Sequence, residues 1–237
     1  MLRKAQQNET LAGDAPEIGQ RERNKRDKLL RIKNAARDLF ISKGYDDTTT
    51  REIAIRAGVG MGTVFTYADN KRDLLFLIAN EDLAEATRRA QADISPRGSM
   101  LSNLLTIFRD HYEYFAQQPE LSRLMLREML FYDSGEQANR FKATREHLIS
   151  LICERVQLAQ ARNEINTAQD HQLVGWVIFS LYQVEIRRWL TGKTQNIAAG
   201  MAELERALRL VMTGIAPGEN SDSRVAAKAR KPATVKK

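Results

Sequence analysis

The chain has 237 residues, of which 43% are hydrophobic and 28% are charged, and its formal net charge is +7. These proportions are typical of a folded globular protein and exclude fibrous and wholly disordered chains. The single cysteine, Cys153, excludes an internal disulfide and a multi-cysteine metal site. The N-terminus lacks the apolar segment of a signal peptide, and the longest near-apolar run, 173–182, is far shorter than the ~20 residues of a membrane span. We therefore expect a cytoplasmic protein.

Positive charge is concentrated near the N-terminus. Residues 21–43 hold nine basic side chains against three acidic ones. Such a segment is suited to face the phosphates of a nucleic acid. A solvated helix face accounts for the same charges, so the charge pattern alone leaves both interpretations open.

The spacing of the apolar residues predicts an all-α fold of about nine helices. The apolar residues recur every three or four positions, and no stretch long enough for a strand alternates between apolar and polar residues. Residues 1–20 and 216–237 lack this period and are predicted to be disordered tails, the second of them basic. Between the tails we expect two units, a three-helix unit from residue 21 that a fourth helix closes near residue 90 and a helical bundle over 91–215.

The predicted helices of the first unit have recognisable ends. The first spans roughly 22–43 and stops at Gly44. Thr49 and Glu52 form a capping box that starts a second helix, which ends before Gly58. A third short helix fits between Gly60 and Tyr67, and an Asn-Lys-Arg-Asp run at 70–73 starts the fourth.

The second and third helices have the pattern of a helix-turn-helix. This motif needs a small residue where the helices approach, a residue that tolerates positive φ in the turn and an apolar anchor after it, and Ala54, Gly58 and Val59 meet these needs. The third helix would then enter the major groove. The side chains expected to face the groove are those of Met61, Gly62, Thr63 and Thr66.

Lys71 adds a second indication of DNA. A cation in the first turn of a helix opposes the helix dipole, at a cost of up to ~1 kcal/mol. A phosphate bound at that helix start would reverse the penalty. Ordinary capping or solvation explains Lys71 or Thr49 alone, and the combination of positions favours the DNA-binding interpretation.

The sequence KLLRIKNAARDLFISKGYDDTTTREIAIRAGVGMGTVFTYADNKRDLL, at 28–75, resembles the N-terminal domain of the TetR (tetracycline-repressor) family. The resemblance implies a homodimer that regulates transcription, most often as a repressor that leaves a palindromic DNA operator when a small-molecule effector binds. It implies phosphate contacts from Thr49, Tyr67 and Lys71. The base or groove contacts that it implies are those of Thr50, Arg51, Met61, Gly62, Thr63 and Thr66.

Three positions depart from the family pattern. Gly60 stands where a Ser or Thr cap is usual, which costs only a few tenths of a kcal/mol. Phe65 replaces a Tyr and so lacks a hydroxyl for a phosphate. Ala68 replaces a Phe, which leaves a cavity or requires a neighbour such as Phe76 to fill the space.

The C-terminal helices are expected to hold the effector and the dimer interface. A helix over about 173–189 is apolar around its circumference, and the last helix carries a narrow seam of coiled-coil type, so two helices per subunit suggest a four-helix interface. The predicted interface residues are Tyr182, Val184, Trp189, Met201, Leu204, Leu208 and Val211. The candidate pocket residues, for each of which plain core packing is the alternative, are Phe108, His111, Tyr112, Phe115, Met125, Met129, Tyr132, Trp176 and Phe179.

Two other classes of protein are considered. The sequence lacks the motifs of an enzyme or a metalloprotein, since the three histidines are scattered and no nucleophile elbow, phosphate loop or zinc signature is present. We therefore predict no metal, no catalytic residue and no cofactor. A helical protein-interaction module with a DNA-inactive helix-turn-helix is the remaining alternative, and it would be expected to have lost Thr49, Tyr67 and Lys71.

Overall fold

The protein folds as a bundle of helices. The structure, a computed structural model, describes residues 19–165 and 168–214, and these residues contain nine helices and no strand. The N-terminal four helices are α1 (Gln20–Ser42), α2 (Thr50–Ala57), α3 (Met61–Phe65) and α4 (Lys71–Ala92). The others are α5 (Met100–Gln117), α6 (Pro119–Glu128), α7 (Glu136–Ala161), α8 (His171–Thr191) and α9 (Ile197–Thr213). The all-α prediction is confirmed, and the predicted tails lie outside the described residues except at 19–20, where Gln20 already starts α1.

Local signals in the sequence set the helix ends. The Thr49 hydroxyl accepts from the Glu52 amide, and the Glu52 carboxylate accepts from the Thr49 amide at 2.8 Å, which completes the predicted capping box. Asn70 caps α4 by accepting from the Asp73 amide at 2.9 Å. Pro119 occupies the first turn of α6, where its missing amide proton costs nothing.

Two hydrophobic cores lie side by side. The N-terminal core joins α1, α2, α3 and part of α4, with Ile32, Ile53 and Val64 at its centre. The C-terminal core joins α4, α5 and α7 with α8 and α9, and it buries Leu104, Phe108 and Ile152 completely.

Two helices contribute to both cores. From α4, Leu74, Leu75, Leu77 and Ile78 face the N-terminal core, whereas Phe76, Ala79 and Leu83 face the C-terminal one. From α6, Leu121 and Leu124 pack on the first core, and Met125 and Leu126 belong to the second. A shift of either helix therefore changes the packing of both cores.

Within the described residues, no helix combines the length and the apolar character needed to cross a lipid bilayer.

The turn between α2 and α3 supports a stability prediction. Gly58 has φ 64°, and a Cβ built there would lie 3.3 Å from Arg31 Nη1, whereas Gly60 has φ −71° and open space around it. We expect Gly58→Ala to lower the free energy of unfolding by about 1–2 kcal/mol, because a side chain strains the left-handed backbone. Gly60→Ala is the matched control, with a net change of less than about 0.5 kcal/mol, because the loss of a favourable N-cap residue is offset by the lower entropy of the unfolded chain. Urea denaturation measures both, and equal effects would contradict the prediction.

Candidate DNA-binding surface and ligand cavity

The α2–turn–α3 unit is held in one geometry by backbone contacts. Gly58 ends α2 in the left-handed conformation, and the Val59 amide donates back to the Ala54 carbonyl at 3.1 Å. The guanidinium of Arg31, on α1, donates to the Ala57 carbonyl at 3.0 Å and ties α1 to the turn. The three residues predicted to form the motif therefore lie where a helix-turn-helix requires them.

The nine residues predicted to contact DNA lie on or beside this unit. Thr49, Arg51, Gly62 and Thr66 are exposed, and the other five are partly buried. Within the described residues Arg51 makes no hydrogen bond or ion pair, so its side chain is available to a ligand. The Thr66 hydroxyl donates to the Gly62 carbonyl at 3.0 Å, which leaves its oxygen lone pairs as acceptors.

Tyr67 and Lys71 also have partners within the chain. The Tyr67 hydroxyl donates to the Lys25 carbonyl at 3.2 Å. The Lys71 ammonium donates to the carbonyls of Tyr45 at 2.7 Å and Asp46 at 3.1 Å, and it lies 4.5 Å from the centre of the Tyr45 ring. These bonds lower the penalty of a cation at the start of α4. A lysine has three donors, so one remains for a phosphate.

The three departures from the family pattern have visible consequences. Gly60 is the N-cap of α3 and makes no side-chain cap, and Phe65 is exposed at the end of this helix. Ala68 is buried in the N-terminal core. Phe76 does not fill the space beside it, because its ring stacks on Tyr132 in the C-terminal core with the ring centroids 4.1 Å apart.

A cavity lies among α4, α5, α6, α7 and α8. It encloses about 30 Å³, and five of the nine predicted pocket residues line it: His111, Phe115, Met125, Met129 and Phe179. Leu83, Phe141 and Leu148 extend the apolar wall. These three residues were not predicted, because aliphatic and aromatic residues on a helix face do not distinguish a cavity wall from a core.

The other four predicted pocket residues are elsewhere. Phe108 stacks on Tyr182 in the core, and Tyr112 is buried against Trp189. Tyr132 stacks on Phe76 and donates a hydrogen bond to Asp73 at 2.6 Å. Trp176 is 49% exposed on the outer face of α8.

A directed chain of hydrogen bonds runs along one wall of the cavity. The Thr87 hydroxyl donates to the Leu83 carbonyl, so the Thr87 oxygen accepts from His111 Nε2, at 3.3 Å. The Nδ1 of His111 then accepts from the Tyr182 hydroxyl at 3.1 Å. Burial lowers the pKa of His111 to about 4, so the imidazole is neutral near pH 7. Each N–H or O–H donor of Thr87, His111 and Tyr182 on this wall therefore already has an acceptor.

Unpaired polar atoms lie at another part of the wall. Arg145 and Gln183 line the cavity, and Arg145 Nε and Gln183 Oε1 are buried without a hydrogen-bond partner. An unpaired buried donor or acceptor costs about 1–3 kcal/mol. A ligand whose polar end reaches these two atoms would recover that cost.

The predicted dimer residues need correction. Four of them are buried inside the single chain: Tyr182, Met201, Leu204 and Leu208. The reason is that α9 packs on α5 and α8 of its own chain, which cover its apolar seam. Trp189 is half-buried against Tyr112. Only Val184 and Val211 of the predicted set are exposed. The exposed apolar residues of these two helices, here called the α8–α9 apolar surface, are Leu173, Trp176, Val177, Val184, Leu210 and Val211.

Comparison with known proteins identifies the class. Residues 32–78 match the family model described as bacterial regulatory proteins of the tetR family. The fatty acid metabolism regulator protein of Bacillus subtilis is 24% identical over 196 residues, covering 81% of this chain and 98% of that protein. The FadR structure from Bacillus subtilis, in complex with stearoyl-CoA, has a TM-score of 0.63 and 22% identity, and covers 79% of this chain and 99% of its own. FadR from Thermus thermophilus, a TetR-family repressor in complex with lauroyl-CoA, has a TM-score of 0.61 and 26% identity, and covers 87% of this chain and 100% of its own.

The fold and the helix-turn-helix define a DNA-binding transcription regulator rather than an enzyme. Residues 32–78 of the chain are similar to the N-terminal domain of the TetR family. Among the described residues no group of three or more His, Cys, Asp or Glu side chains is placed to hold a metal ion.

Arg51 gives a direct test of the DNA-binding surface. We expect Arg51→Ala to weaken operator binding about tenfold, the effect of losing one good contact to a base, without changing the free energy of unfolding. Arg109, exposed on α5, makes no bond within the described residues, so Arg109→Ala removes the same charge elsewhere. Fluorescence anisotropy with a labelled fragment from upstream of the gene measures both. Equal losses for the two variants would show a general charge effect instead.

Proposed function

We propose that the chain is a cytoplasmic repressor that leaves its operator when a long-chain fatty acyl-CoA binds in the cavity among α4–α8. In this proposal, residues 21–90 form the DNA-binding head and 91–215 the effector and dimerisation half, with α4 shared. Thr49, Tyr67 and Lys71 bind phosphates. The residues that face the major groove of the DNA are Thr50, Arg51, Met61, Gly62, Thr63 and Thr66.

The chemistry of the cavity supports an amphiphilic effector. Most of its wall is built from Leu, Phe and Met side chains, which suit a hydrocarbon chain. Arg145 and Gln183 provide an unpaired donor and acceptor for a polar end. The relatives named above add support, since two FadR proteins of the same fold are complexed with acyl-CoA.

The size of the cavity implies that binding moves its walls. About 30 Å³ is close to the volume of one water molecule in the liquid, so an acyl chain enters only if flexible side chains such as Met125 and Met129 are displaced. Both belong to α6 or to the residue that ends it. The effector therefore acts first on this helix.

The same segment is bonded to the DNA-binding head. Arg127 pairs with Asp46 in the α1–α2 loop at 3.2 Å, and Glu128 pairs with Arg72 on α4 at 3.3 Å. Further along, Gln137 donates to the Tyr67 carbonyl at 3.2 Å. Displacement of α6 thus shifts the head, which gives the effector different affinities for two arrangements of the dimer.

The effector proposal is tested by release of DNA. Lauroyl-CoA or stearoyl-CoA, added to the complex of the full-length protein with its labelled upstream fragment, is expected to release the DNA, whereas free CoA is not. Arg145→Met should raise the concentration for half-release about tenfold, because a charge-assisted bond is worth about 1.5–3 kcal/mol. Arg140→Met, on the exposed side of α7, is the matched control. Specific DNA binding that acyl-CoA leaves unchanged would exclude this effector.

We also propose that the α8–α9 apolar surface forms the dimer interface. Six large apolar side chains exposed on two neighbouring helices form the kind of patch that a second subunit covers. Val184→Glu would bury a charge there and should shift the protein from dimer to monomer in light scattering, with loss of operator affinity. Leu130, equally exposed in the α6–α7 turn, provides the control Leu130→Glu. A Val184→Glu protein that remains dimeric would place the interface elsewhere.

A further inference from the structure

A second, polar cavity lies at the joint between the DNA-binding head and the effector half. It is formed by α1, α4, α5 and α6 and encloses about 360 Å³, within the range of small-molecule sites. The functions proposed above do not use it. The polar side chains that line it are Arg37, Asp82, Tyr114, Gln117, Gln118 and Ser122.

Three polar groups of this cavity lack a good partner. Arg37 Nε and Gln118 Oε1 are buried without a hydrogen bond. The Tyr114 hydroxyl contacts only the Met125 sulfur, a weak acceptor, at 3.9 Å. Arg37, Gln118 and Tyr114 all line the cavity, so a polar occupant that these side chains turn to meet would recover the cost of the unpaired groups.

The pattern of donors and acceptors specifies the chemistry of the occupant. Arg37 and Tyr114 offer N–H and O–H donors, which suit a carbonyl oxygen, and Gln118 Oε1 is an acceptor, which suits an N–H. The charges of Arg37 and Asp82, 4.0 Å apart, offset each other and favour a ligand without net charge. We propose that this cavity is a binding site for a small uncharged molecule, or an uncharged part of a larger one, that carries a secondary amide.

Two sources supply this chemistry. One is a free small amide that binds beside the effector. The other is the pantetheine arm of an acyl-CoA, which contains two secondary amides, and Met125 lines both this cavity and the apolar one. Only the second source depends on the proposal that the effector is an acyl-CoA.

The experiment is calorimetric titration of the full-length protein with N-acetylglycinamide and, separately, with pantetheine. Saturable binding of at least one probe is expected, weakened at least about fivefold by Gln118→Leu because the loss of one hydrogen bond leaves its ligand partner unpaired. Gln157→Leu, on the exposed side of α7, should bind as the parent protein does. If Gln118→Leu fails to fold, the near-isosteric Gln118→Met, which also removes the amide oxygen, takes its place with the same expectation.

The outcomes separate the proposals. Absence of saturable binding by both probes, or binding that neither glutamine variant weakens, means that the cavity holds solvent and overturns the inference. Binding of a probe that lauroyl-CoA displaces supports the pantetheine source, and binding alongside lauroyl-CoA supports a free amide. If lauroyl-CoA fails to bind at all, the effector proposal fails, while probe binding that depends on Gln118 still supports the amide site.

Discussion

The burial of the first half of α4 is the constraint on which the rest of the structure depends. Residues 73–80 are all buried, so this stretch of helix is covered on every side, by the head on one and by α5 and α7 on the other. Its polar members must then find partners inside the protein. Asp73 accepts from the Asp69 amide and from the Tyr132 hydroxyl, and Asn80 donates to the Gln137 carbonyl. These bonds fix the two halves in a defined arrangement.

That arrangement provides a route by which the proposed effector in one half would affect DNA binding in the other. A densely packed helix does not deform gradually, and two cores that share α4 and α6 respond together. The ion pair of Arg127 with Asp46 is exposed, and that of Arg72 with Glu128 is partly buried, so the first contributes little to stability and the second somewhat more. They are therefore suited to break and re-form as α6 moves. The polar cavity beside Arg37 lies at the same joint, where an occupant would favour one arrangement.

The helix starts, the turn and most of the α-helical pattern were predictable from the sequence because they depend on local chemistry. Gly58 and the Thr49–Glu52 capping box need only their neighbours in the chain. A periodic apolar face shows that something covers it and does not show whether this is the same chain or a second copy, so the predicted interface residues are divided between core and surface. Leu204 and Leu208 are covered by the chain itself, and Val184 is not. The unpaired atoms of Arg145 and Gln183 depend on three-dimensional packing, which no spacing in the sequence reveals.

The directed hydrogen-bond chain on the cavity wall bears on what the effector must be. Because Tyr182 donates to His111 and His111 donates to Thr87, this wall has no free donor for a carboxylate. A neutral imidazole also offers no positive charge there. An anionic end placed against His111 would therefore lose its hydration without gaining a partner. The acyl chain is expected to lie along this wall, and its polar end to lie at Arg145 and Gln183, where a donor and an acceptor are unused. A thioester bears no charge, so its acyl chain is buried at a lower cost than that of a free fatty acid anion.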